Sequence, residues 1–263
     1  MKMDLFMLEK EREFSRNEPV KILFIGNSAT YFNDMPAAIF APMCEAAGYD
    51  VAVTAITKSG YRLSGHIDRN DEVGKLVHAA LSENKYDYVI MQDYVHITVP
   101  ADYYTNVRIL TAMVRENGAI PILYSVVPPL ETETTYKIDY GYGLNAKSFA
   151  YKSDSASGAI ATELGIGVAH AGLAVYDLME NHPELNLHHS DKRHPGVLAS
   201  FVIAGTIFAA VFNHDPTKVD FVGSLDTETA AILKEAARKY SFALPEIPAE
   251  YDIGTSVGVG ALP

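Results

Sequence analysis

The apolar run "VKILFI" (20–25) breaks at Gly26, and Asn27 and Ser28 follow where a buried strand would end. A serine hydroxyl is a weak nucleophile at neutral pH. It becomes a good one when a base takes its proton and a third group holds that base in the right tautomer. The late segment "HHSDKRHPG" (188–196) carries such a pair, Asp191 and His194, three residues apart. On a turn, or in the first turn of a helix, that spacing brings the carboxylate to one ring nitrogen and leaves the other free to face Ser28. Pro195 suits the first turn of the apolar helix that follows, which would hold the histidine loop rigidly. The chemistry this implies is acyl transfer through an activated hydroxyl. Taken singly, each residue also has a plainer reading: Ser28 as a helix cap, Asp191 as the cap of the helix at Pro195, His194 as a surface histidine.

Positioning these groups falls to an alternating pattern. Strands are expected at "VKILFIG" (20–26), "YDVAVTAIT" (49–57), "YDYVIMQD" (86–93), "AIPILYSVV" (119–127) and, shorter, "IGVAHA" (166–171). Helical spacing marks 34–48, with Pro42 a source of kinking and Gly48 at its end. Further helices are expected over 70–84, 100–117, 144–164, 174–185 and 195–213, and over 226–243 with Thr227 as its cap. The stretch from Pro128 to Tyr142 reads as irregular, suited to a lid or specificity loop. Such alternation predicts a doubly wound parallel sheet with helices on both faces, whose site lies at the carboxyl ends of the strands. That points to Ser28, to Ser59 and Gly60, to Gln92 and Asp93, and to residues 125–128. The chain divides into an N-terminal polar arm or helix (1–19), one α/β domain (20–245) and an irregular tail (246–263).

Composition narrows the function classes. The 263 residues are 48% hydrophobic with a net charge of -12, and no Lys/Arg cluster offers a nucleic-acid footprint. The single cysteine, Cys44, excludes a disulfide within the chain and reads as a small buried residue. No apolar run reaches the roughly 20 residues of a membrane span, and the N-terminus is too charged for a signal peptide, so a cytoplasmic protein is expected. "GNSATYF" lacks the lysine and second glycine of a phosphate loop and the three glycines of a dinucleotide fingerprint. It also lacks the second glycine of the Gly-x-Ser-x-Gly elbow. His188 and His189, with Asp191 and His194, leave a metal-dependent hydrolase open as an alternative, although nothing elsewhere in the chain completes such a site.

Taken together, "FIGNSAT" and "DKRH" resemble the first and last conserved blocks of the SGNH (GDSL-like) hydrolases. Gly60 in "KSGYRL" fits the second block, and "YVIMQDY" places Gln92 where that superfamily has an asparagine. The likeness covers roughly residues 20 to 212 and is closest to a divergent branch carrying glutamine there. It implies a flavodoxin-like doubly wound α/β fold and a serine esterase with Ser28 as nucleophile, His194 as base and Asp191 as its orienter. The Ser28 and Gly60 N–H groups and the Gln92 amide would receive the oxyanion. No cofactor and no metal are implied. Of the sixteen tyrosines, Tyr31, Tyr61 and Tyr94 fall near strand ends and suit sugar rings or aromatic esters. The expected partner is a small-molecule or carbohydrate ester, an O-acetylated sugar among them. A glycan- or ester-binding module impaired by Gln92 stays open, as does a homo-oligomer built on the apolar helix at 197–212.

Overall fold

The computed structural model describes residues 18–93, 100–130, 144–243 and 245–254. Five parallel strands form one sheet: β1 (Val20–Gly26), β2 (Val51–Thr57), β3 (Tyr88–Met91), β4 (Ile120–Tyr124) and β5 (Gly167–Ala169). Their order is β2-β1-β3-β4-β5. The chain therefore reverses its direction of travel between β1 and β3. In doubly wound sheets such a switch point opens a crevice outside the carboxyl ends of the strands.

The central strands are apolar except for the exposed Lys21 near the start of β1, because both faces are covered. Alternate side chains go to opposite sides. Ile22, Phe24, Tyr88, Ile90, Ile122 and Tyr124 join one core, while Leu23, Ile25, Val89, Met91 and Leu123 join the other. The first core is closed by α7 (Ala171–Asn181), α8 (Val197–Phe212) and α9 (Thr227–Ser241). The second is closed by α4 (Glu72–Glu83), α5 (Pro100–Asn117) and α6 (Ala146–Leu164). α8 is buried almost all round, which accounts for its unbroken apolar sequence through core packing. β2, at the sheet edge, is more exposed than its neighbours.

Two local expectations need correction. The helix expected over 34–48 is split into a wide turn at Met35–Phe40, with Ala41 N–H bonding back to Pro36, and α2 (Ala41–Ala46). Pro42 has no N–H with which to close the α-helical bond to Ala38, and its ring crowds that carbonyl. The cap of α9 is Asp226 rather than Thr227. Its carboxylate accepts from the N–H and hydroxyl of Thr229, a stronger arrangement than a hydroxyl alone. Cys44 is fully buried, and burial pushes its thiol pKa far up. Among the described residues, no helix is long and apolar enough to cross a membrane. Residues 1–17 of the arm, Tyr94, residues 131–142 of the irregular stretch and the end of the tail lie outside the described residues.

α4 is seated by one glycine. A Cβ on Gly74 would collide with the Asp68 carbonyl and lie 2.7 Å from the Gly65 carbonyl of α3 (Leu63–Ile67). Ala normally stabilises a helix relative to Gly by about 1 kcal/mol. Here the backbone clash should reverse the sign. Gly74→Ala is expected to destabilise the protein by about 1–3 kcal/mol, measured by urea unfolding; an unchanged or raised midpoint would refute the seating.

Candidate active site

β1 ends at Gly26, and its last turn shows why the next residues are polar. A Cβ at Gly26 would strike the Thr30 hydroxyl and come within 2.8 Å of Gln92 Oε1. Only glycine lets the chain turn this tightly over the end of β3. Asn27 then caps α1 (Ser28–Tyr31): its Oδ1 accepts from Ala29 N–H at 3.0 Å. Since Asn27 takes the capping role, the Ser28 hydroxyl is released for another partner. That partner is His194, whose Nε2 lies 2.8 Å from Ser28 Oγ across a separation of 166 residues.

The histidine sits in a short closed loop. His188 and Pro195 pair as an antiparallel bridge. His189 N–H donates to the His194 carbonyl at 2.9 Å, and Gly196 N–H to the Leu187 carbonyl at 2.8 Å. Asp191 folds back within this loop. Its Oδ2 accepts from His194 Nδ1 at 2.7 Å, while Oδ1 accepts from the N–H groups of Arg193 and His194 at 2.9 and 3.0 Å. Burial pushes the Asp191 carboxyl up. The two N–H groups and the imidazole outweigh burial and hold it well below the usual carboxylate range. Asp191 is thus committed to the ring and its own loop. The residue at the N-terminus of α8 is Gly196, which has no side-chain cap.

Two residues that sequence reasoning passed over join the loops. The Phe32 ring lies flat on the His194 imidazole, centroids 4.1 Å apart and planes 4° from parallel. Asn33, in the left-handed region at φ 57°, donates through Nδ2 to the Pro195 carbonyl at 2.9 Å and the Ser200 hydroxyl at 2.8 Å. Their one available signal was position, directly after the serine turn.

Gly60 is a left-handed turn residue at φ 66°, with open space where a Cβ would be. The turn is closed by Tyr61 N–H to the Lys58 carbonyl at 3.2 Å, and Asn27 Nδ2 holds it against the serine loop through the Tyr61 carbonyl at 3.0 Å. The N–H of Ser28, at the first position of its helix, has no intrahelical acceptor. Gln92 directly follows β3. It is buried at 1% exposure. Its Oε1 accepts from Asn27 N–H and Thr30 Oγ1, both at 3.0 Å, and its Nε2 donates to the Asp93 carbonyl at 2.5 Å. The Asn27 N–H can only donate, so the amide oxygen must face it. The glutamine amide oxygen is therefore held by the serine turn through Asn27 and Thr30. Asp93, next along, accepts from Leu63 N–H at 2.9 Å.

Tyr31 is partly exposed one turn beyond Ser28 and stacks on Phe32. The Tyr61 hydroxyl donates to Asp71, a bond that helps push its pKa up to about 12. Tyr94 lies outside the described residues. His188 is buried and its Nε2 is engaged by the Pro128 carbonyl at 2.8 Å. Burial lowers its pKa, favouring the neutral ring. It anchors the loop after β4 to the histidine loop.

Asn33→Gly removes both tethers to 195 and 200 while easing the left-handed backbone. A net loss of about 1 kcal/mol in unfolding free energy is expected; an unchanged denaturation midpoint would show that the tethers contribute nothing.

No protein-family model matches the sequence, and neither does any curated protein. Solved structures do match. A protein from Slackia heliotrinireducens described as "a putative SGNH hydrolase" is 24% identical with a TM-score of 0.62, covering 73% of this chain and 99% of that one. A DUF4886 family protein from Bacteroides uniformis is 18% identical with a TM-score of 0.64, covering 84% and 94%. An acetyl xylan esterase, AlAXEase, is 12% identical with a TM-score of 0.52, covering 73% and 100%. With its strand order, its all-parallel sheet and these structural relatives, the chain has the SGNH hydrolase fold.

Proposed function

We propose that the protein is a serine esterase acting on a carboxylic ester, with Ser28 as nucleophile, His194 as general base and Asp191 as the residue that orients the imidazole. The observation that carries this reading is the continuous chain of contacts, 2.7 Å from carboxylate to ring and 2.8 Å from ring to hydroxyl. Asp191 accepts Nδ1–H and thereby presents Nε2 as the acceptor for the serine proton. Ser28 Oγ attacks the carbonyl carbon as His194 takes its proton. The imidazolium then returns that proton to the leaving alcohol, giving an acyl-enzyme. Water, deprotonated by the same ring, releases the acid and restores Ser28. The developing oxyanion is received by the N–H groups of Ser28 and Gly60. Gln92 contributes by fixing Asn27 and Thr30, hence the pitch of the Ser28 N–H.

An O-acetyl group on a carbohydrate is the substrate we favour. The acetyl xylan esterase among the structural relatives supports that class, and the partly exposed Tyr31 gives the rim an amphipathic face suited to a sugar ring. A short acyl chain should therefore be preferred: p-nitrophenyl acetate should be turned over faster than p-nitrophenyl octanoate.

Ser28→Ala should lower turnover of p-nitrophenyl acetate by roughly 10³-fold or more. The wild-type chain should also be labelled at Ser28 by a fluorophosphonate. Undiminished turnover in the variant would remove Ser28 from the mechanism. Labelling failure together with absent turnover would leave a binding module instead.

The sign of the pH dependence follows from the charges. Asp191 is held ionised well below neutrality, so its protonation does not set the acid limb. A protonated imidazole cannot accept the serine proton. kcat/KM should therefore fall as pH decreases and the ring takes up a proton. A profile that stays flat on acidification while the protein remains folded would count against His194 as base.

A further inference from the structure

His194 stands on an exposed loop. Asp191, Lys192 and Arg193 are all exposed, Lys192 in the left-handed region at φ 62°, and 28% of the His194 side chain is open to solvent. Two contacts grip the ring by its edge: Asp191 at Nδ1, 2.7 Å away, and Ser28 at Nε2, 2.8 Å away. Both lie along ring nitrogens, so neither bears on the faces of the imidazole. Phe32 does. Its half-buried ring covers one face with centroids 4.1 Å apart and planes 4° from parallel. Phe32 is itself held by two more rings, Tyr31 stacked at 5.7 Å and His189 edge-on at 5.1 Å.

The identity of the covering group has a chemical consequence. An aromatic face carries negative charge density and attracts a cation within about 6 Å of the ring centre, whereas a neutral ring gains much less from it. An aliphatic side chain of similar size would cover the imidazole without that preference. The other groups at the ring are Asp191 and, through Asp191, His189, whose Nδ1 lies 3.2 Å from the same Oδ2. The Phe32 contact therefore strengthens as the imidazole becomes charged. A contact that is stronger in the transition state than in the ground state is one that raises turnover.

We propose that Phe32 is a positioning residue for the reaction and acts through His194. It keeps the imidazole plane in line between Asp191 and Ser28, and it favours the imidazolium formed when the ring takes the serine proton. This rests on the reading of Ser28, His194 and Asp191 given above.

The test compares Phe32→Leu, which keeps an apolar cover, with Phe32→Tyr, which keeps the aromatic face. Both acylation and deacylation pass through the same ring, so the effect falls on kcat. With p-nitrophenyl acetate, Phe32→Leu should lower kcat roughly fivefold and leave KM within about twofold of the wild type. Phe32→Tyr should keep kcat within about twofold. The rate of fluorophosphonate labelling at Ser28 should follow kcat across the three proteins. Thermal unfolding identifies the folded variants; if Phe32→Leu does not fold, Phe32→Met supplies the aliphatic comparison. A folded aliphatic variant as fast as the wild type would overturn the proposal. So would a loss confined to KM, or a loss in Phe32→Tyr as large as in the aliphatic variant. Each of those results leaves Ser28 as nucleophile, which the Ser28→Ala measurement tests on its own.

Discussion

The contact between Ser28 and His194 joins groups 166 residues apart, and the strand order is what makes it possible. β1 lies beside β3 with β2 on its outer edge, so the loops after β1 and β3 open into one crevice. The loop before α8 is then brought over that crevice because α8 packs into the core on one face of the sheet. Neither half of the pair has local reasons to find the other. Their meeting is specified by the burial of α8, a non-directional force of large area, and is refined by directional contacts. Asn33 reaches the Pro195 carbonyl, Phe32 covers the ring face, and Asp191 fixes the ring edge. Packing brings the loops near; hydrogen bonds and stacking set the last ångström.

Much of this was legible in the sequence. The strands announce themselves as continuous apolar runs because the sheet is covered on both faces. The serine and the Asp-x-x-His pair stand out by coinciding at the expected strand and helix ends, although each residue taken singly also fits a cap or a surface position. Exposed or half-exposed groups were harder to read. Phe32 and Asn33 carry no periodicity, since they follow a four-residue helix and their partners are distant. Asn27 illustrates the difficulty: from the sequence Ser28 itself reads as the cap, and only the observed bond from Ala29 N–H to Asn27 Oδ1 gives that role to its neighbour.

Gln92 is the most instructive single residue. One methylene longer than asparagine, it uses that length to reach beneath the Gly26–Asn27 turn, and its carbonyl oxygen takes two donors there. The thread continues from Thr30 to the Tyr124 hydroxyl at 2.6 Å, which ties the serine turn to the end of β4. A residue expected to present an amide beside the serine also braces the turn that carries Ser28. Bracing of that kind matters because a donor already in place needs no reorganisation as charge develops.

The protein holds a second aspartate–histidine pair, Asp154 and His170, and the two pairs differ in how their carboxylates are completed. At Asp191, Oδ1 is saturated by two backbone N–H groups and Oδ2 by the ring. Every lone-pair direction of consequence is therefore used inside the protein, and the only free chemistry is passed through the ring to Ser28. At Asp154 the ring takes Oδ2 and nothing takes Oδ1 among the described residues. The same two residue types thus form two differently completed pairs, one joined to Ser28 after β1 and one sealed inside the protein beside β5.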